Sequence, residues 1–187
     1  MRLKKANAAL GLLSALFLLA HIGYNVFCYL TFYYNPVLKT VFSLPVIMLV
    51  CAHAILGMLT VFLSSDGTRL DLYPKQNLRT ILKRVSAALI FPLLIVHVNN
   101  FALMQQNAEA GNTPLVVLLL FAEVLFFAVV ITHIATSFSA GLITLGILES
   151  REMQARIDKV VYVLGALAFL VSAYAVVKGH IIMFLLG

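Results

Sequence analysis

The chain has 187 residues, of which 63% are hydrophobic and 11% charged, and it carries a formal charge of +6. No water-soluble domain of this length needs so apolar a composition for its core, so the chain belongs in a lipid bilayer. Its cations then call for a topological explanation, and nucleic acid has no place among the expected partners.

A hydrocarbon layer of about 30 Å takes about 20 helical residues to cross. Five apolar stretches have that length, and they follow one another with little between them. The first, Ala6–Leu30, comes after Arg2, Lys4 and Lys5. It holds His21, Tyr24 and Asn25 where a cleaved leader would place small residues, so it reads as a retained helix. Asn35-Pro36 interrupts the chain before the second stretch, Leu38–Leu63, which carries Pro45 and His53. Ser64-Ser65-Asp66-Gly67 has the composition of a turn and ends it. The segment Thr68–Arg79, with Tyr73-Pro74, is the longest non-apolar one. The third stretch, Ile81–Met104, holds Pro92 and His97, and Gln105–Thr113 reads as a polar outer link. Thr113–Leu148 follows with Glu123 and His133. Glu149–Lys159 mixes both signs and can continue as helix outside the lipid, and the last stretch, Val160–Leu186, contains His180. Pro45 and Pro92 predict kinks whose freed carbonyls neighbouring helices can satisfy. The expected fold is therefore all-α, a single domain over residues 1–187 built as a bundle of five transmembrane helices.

Orientation comes from the cations. Placing the N-terminus in the cytoplasm collects Arg2, Lys4, Lys5, Arg69, Lys75, Arg79, Lys83, Arg84, Arg151, Arg156 and Lys159 on that side and leaves only Lys39 and Lys178 outside. This positive-inside bias predicts a cytoplasmic N-terminus, an outer C-terminus and residence in the inner (cytoplasmic) membrane.

Four of the five histidines fall at two matched depths inside the apolar stretches. At 1.5 Å per residue, His21 and His97 each sit about 22–24 Å above the inner boundary, whereas His53 and His133 sit about 15–17 Å above it. An isolated intramembrane histidine is often an interhelical hydrogen-bond donor, but polar groups this deep usually pair or serve function. Two histidines at one depth on different helices can hold a heme iron from both faces. Zinc or copper would call for a denser cluster, and neither Cys-x-x-Cys nor His-x-x-x-His is present. Cys28 and Cys51 read as apolar packers, and without Cys-x-x-Cys-His any heme would be held without thioether bonds. His180 has no depth partner and is not expected to be a ligand. Gly57, Ser137, Ala140 and Gly141 could let a flat macrocycle approach the backbone, or could serve ordinary helix packing.

The run from Gly11 to His21 with Asn25, the stretch His53-Ala54-Ile55-Leu56-Gly57, Lys83-Arg84-Val85-Ser86 leading to His97, and His133 with Ser137 carry a resemblance. Over most of its length the chain resembles the five-helix, diheme cytochrome b subunit of succinate dehydrogenases and fumarate reductases. The resemblance implies two b hemes, with His53 and His133 ligating the proximal heme and His21 and His97 the distal one. It also implies a flavoprotein and an iron–sulfur partner on the cytoplasmic face, and electron transfer to or from a membrane quinone, menaquinone or ubiquinone. The compact link between the first two stretches lacks the acidic residue that some members use for quinone chemistry.

Two further residues follow from this reading. Glu123, the only carboxylate within an apolar stretch, lies about 15 Å from the outer end and about 80° around its helix from His133. It is expected to exchange protons with quinone, with Asn25, Tyr29, Asn99, Asn100 and His180 completing the pocket. Arg84, beneath the inner pair, is expected to contact a heme propionate, whereas Arg79 and Lys83 read as ordinary positive-inside charge. Two other classes use the same residues. A diheme anchor of the hydrogenase or formate dehydrogenase type would share paired histidines, and a heme-free transporter or scaffold would use them for packing or proton relay.

Overall fold

A computed structural model describes residues 2–63, 71 and 74–186. Five α-helices follow in order: α1 (Arg2–Thr31), α2 (Pro36–Leu63), α3 (Pro74–Glu109), α4 (Thr113–Leu145) and α5 (Arg151–His180), the last running into a π-helical segment, Ile181–Leu185. All five are long and apolar enough to cross a membrane.

The helix ends follow local chemistry more closely than hydropathy. Pro36 and Pro74 stand at the first helical positions of α2 and α3, where a missing N–H costs nothing. Asn35 caps α2, its Oδ1 accepting from the amides of Val37 (3.0 Å) and Leu38 (3.2 Å). Gly146, in the left-handed region at φ 79°, stops α4 three residues short of the expected Leu148, and its amide donates back to Ile143. Ser150 starts α5 by accepting from the amide of Met153, so the mixed-charge segment after it is helical, as its composition allowed. Most of the expected outer link after Met104 is also helical, because α3 continues to Glu109. Hydropathy marks where lipid touches a helix, whereas backbone hydrogen bonds carry α3 and α5 through polar residues beyond it. Pro45 and Pro92 lie inside continuous helices. The expected turn at Ser64–Gly67 lies outside the described residues.

The burial pattern is inverted relative to a soluble protein. Large apolar side chains such as Leu16, Met48, Phe62 and Phe121 are exposed, while Ser14, Ser86, Asn100, Glu123, Ser139 and His180 are buried. Lipid removes the penalty for exposing the first group, and the bundle interior supplies partners for the second. Among the described residues, α1 packs along α2, α4 and α5, α3 along α4, and α4 along α5. Among the described residues, α1 and α3, and α2 and α4, are at most marginally packed on one another. Those two pairs of helices carry the facing histidines.

Candidate functional site

The inner histidines face each other across the gap between α2 and α4. The ring centres of His53 and His133 are 6.2 Å apart and the planes are inclined by 62°. Each ring is fixed through Nδ1. His53 donates to the carbonyl of Asn7 on α1 at 3.0 Å, and His133 donates to the carbonyl of Lys83 on α3 at 3.1 Å. Ser86 donates to that same Lys83 carbonyl, and its hydroxyl lies 3.2 Å from His133 Nδ1. Gly11 abuts His53 so closely that a Cβ placed there would lie 2.8 Å from Cε1 and 3.1 Å from Nδ1. A side chain at position 11 would occupy the place of the imidazole.

The outer histidines repeat the arrangement between α1 and α3. His21 and His97 have ring centres 6.4 Å apart at 76°. His97 Nδ1 donates to Glu123 Oε1 at 2.6 Å, and Asn100 Nδ2 donates to Glu123 Oε2 at 3.0 Å. Phe126 stacks on the His97 ring at 4.6 Å. On the other side, Ser43 Oγ from α2 lies 3.4 Å from His21 Nδ1. Asn25 donates to the His21 carbonyl at 2.8 Å, and its amide nitrogen sits 3.3 Å from both ring nitrogens.

These distances test whether a heme fits. A bond of about 2 Å between a first-row metal ion and imidazole, made on both faces of one ion and extended about 1 Å from each nitrogen to its ring centre, puts the two centres about 6 Å apart. Both pairs have that separation. The hydrogen bonds of His53, His97 and His133 all run through Nδ1, the arrangement that orients Nε2 as a metal ligand. Among the described residues no group of three or more His, Cys, Asp or Glu side chains converges, so each pair offers two ligands and needs a centre whose other positions are filled elsewhere, as in a macrocycle. The residues fit heme iron.

Other expected residues take different settings. Glu123 is 5% exposed and spends both oxygens on His97 and Asn100, so it touches an expected ligand directly. Arg84 is half-buried on α3, next to the residue whose carbonyl holds His133. Gly57 and Gly141 face α1, where added Cβ atoms would meet Asn7 and Leu12 at ordinary contact distance, so they serve helix packing. Ser137 donates its hydroxyl to the His133 carbonyl. His180 is 2% exposed, its Nε2 lies 3.2 Å from the Tyr29 hydroxyl, and Gly179 gives the Tyr29 ring room. Asn99 is exposed and bonds only to its own helix. Cys28 and Cys51 are unbridged.

Arg79 does more than add positive charge. Its guanidinium donates to both oxygens of Asp158 (2.8 and 2.9 Å), to Ser139 Oγ (2.7 Å) and to the Thr136 carbonyl (2.7 Å), tying α3 to α4 and α5 below the inner pair. Side-chain exposures of 22% and 17% make this a largely desolvated pair. Arg79→Leu leaves Asp158 uncompensated and should destabilise the bundle by about 3 kcal/mol, seen as a lower unfolding temperature in detergent. The double variant with Asp158→Leu should recover most of that loss, because it removes both charges together. Neither the family models, the curated proteins nor the solved structures compared with this chain match it.

Proposed function

We propose that the chain is the membrane cytochrome b subunit of a succinate:quinone oxidoreductase, of the succinate dehydrogenase or fumarate reductase type. One observation carries the reading: two histidine pairs, each spanning two helices, with ring centres 6.2 and 6.4 Å apart. His53 and His133 hold the inner b heme, and His21 and His97 the outer one. When bound, the hemes supply one-electron transfer between an iron–sulfur and flavoprotein pair docked on the cytoplasmic face and a quinone in the membrane.

The chain's own residues hold, orient and insulate. Backbone carbonyls of Asn7 and Lys83 fix the inner imidazoles, and Glu123, Ser43 and Asn25 attend the outer ones. Succinate and fumarate chemistry belongs to the flavoprotein. Quinone chemistry belongs to the outer end, where the Tyr29 hydroxyl, 3.2 Å from His180 Nε2, is a hydrogen-bonding group outside both sets of ligands. The cytoplasmic N-terminus and the inner-membrane location rest on the positive-inside bias. A dithionite-reduced spectrum of the purified chain, with its heme-to-protein ratio, tests the reading. Two b hemes per chain are expected, and a chain that purifies folded without heme would overturn it.

A further inference from the structure

The four histidines differ in how firmly each ring is held. His53 and His133 are anchored through Nδ1 on the carbonyls of Asn7 at 3.0 Å and Lys83 at 3.1 Å, and His97 on Glu123 at 2.6 Å, with Phe126 stacked on its face. His21 has no such anchor. Ser43 Oγ lies 3.4 Å from its Nδ1, longer than an ordinary hydrogen bond, and the Asn25 amide nitrogen stands 3.3 Å from both ring nitrogens and so favours neither. Building on the heme reading, we infer that the outer site is an exchangeable one, whose reduced iron gives up His21 for a neutral diatomic ligand of the carbon monoxide type while the inner site keeps both imidazoles.

The supports differ in kind as well as in length. Asn7 and Lys83 offer backbone carbonyls inside continuous helices, which cannot rotate away, whereas a serine hydroxyl turns about its bond to Cβ. Ser43 also stands in the turn of α2 that ends at Pro45, which has no N–H to give the Val41 carbonyl. The helix that presents this hydroxyl thus lacks one of its own bonds at that level. At the inner site the holding groups are reinforced instead. Ser86, 5% exposed, donates to the Lys83 carbonyl and lies against His133, and the backbone at Gly11 bars one direction of swing for His53.

The exchange moves no electron and no proton. The bond from ferrous iron to His21 breaks, a bond to the carbon of carbon monoxide forms, and the freed imidazole stays neutral. A ring held by outer partners must give up those bonds as well as the metal, so the unanchored ligand is the one that yields. Asn25 is in place to receive the newcomer. One N–H of its amide goes to the His21 carbonyl at 2.8 Å, and the same nitrogen lies against the ring. Once the ring leaves, the second N–H can donate to the oxygen of the bound diatomic, and donors in that position govern how such ligands bind.

Carbon monoxide added to the dithionite-reduced holoprotein tests this. Uptake should reach one molecule for every two hemes, with half of the low-spin reduced band lost. Infrared spectroscopy then identifies the site, because a donor to the ligand oxygen weakens the C–O bond and lowers its stretch. Asn25→Ala should raise that stretch, and Ser86→Ala, beside the inner pair, should leave it where it was. No uptake by a chain that carries both hemes would overturn the inference, as would equal uptake by both hemes or a stretch unmoved in Asn25→Ala. The uptake measurement uses the unaltered chain, so it decides the question even where a variant does not assemble. A wild-type chain without heme would instead overturn the heme reading, so the two failures are distinguishable.

Discussion

His97→Ala should yield a chain that keeps one heme and loses the other, and His53→Ala should do the reverse. The two pairs share no ligand and are fixed by different groups, Glu123 and Ser43 for one and the Asn7 and Lys83 carbonyls for the other. If these histidines hold heme, removing one of a pair would leave that heme with a single protein ligand and a void where the ring stood. The heme surviving in each variant should retain its low-spin spectrum. Heme content per chain and the reduced absorbance band of each purified variant provide the check. Equal loss of both hemes in a folded protein, or loss of neither, would show that the pairs are not independent ligand sets.

Gly11→Ala is expected to be nearly as severe for the inner heme although no ligand is touched. The added Cβ would stand 2.8 Å from His53 Cε1, a separation that real side chains do not tolerate, and the ring is tied down by the Asn7 carbonyl one turn earlier on the same helix. Either His53 leaves its bond to Asn7 or α1 moves away from α2. Both would move the His53 ring relative to His133, and ligation of a shared centre would be intolerant of displacements of that size. Gly57→Ala and Gly141→Ala serve as controls, since their new methyl groups would meet neighbours at 3.6 Å or more. The inner heme should fall strongly in the first variant and stay near wild type in the other two. A fully hemylated Gly11→Ala chain would mean that the His53 ring can shift without cost.

The sequence made the five spans legible because hydropathy over about 20 residues is a property of lipid contact, and lipid contact is nearly all that a membrane helix exposes. Depth matching of the histidines was legible for the same reason, since rise per residue is constant along a helix. What depth does not encode is azimuth relative to other helices. Depth along α4 set Glu123 near the level of the outer site, but only the placement of α3 beside α4 brings it onto His97. Arg79 resembled any inner-face cation until Asp158, far away in sequence, was seen opposite it. Gly11 carried no signal beyond being a glycine near a histidine-bearing run, whereas Gly57, four residues from His53, looked better placed and turned out to face Asn7. Depth does not find Gly11 either: about 15 Å along α1 from His21, it falls about 8 Å below the level estimated for His53, and only the placement of α1 against α2 brings the two together.

Helix α1 carries His21, lends the Asn7 carbonyl to His53 and makes room for it at Gly11. Of the five helices α1 is made first, yet the histidines it serves come later in the chain. The outer pair closes only when α3 brings His97, and the inner pair waits for His133 on α4. On the heme reading, neither site is complete until α3 and α4 have been made. On the heme reading α5 contributes no ligand, and its Asp158 closes the tie to Arg79 only after all four histidines have been made.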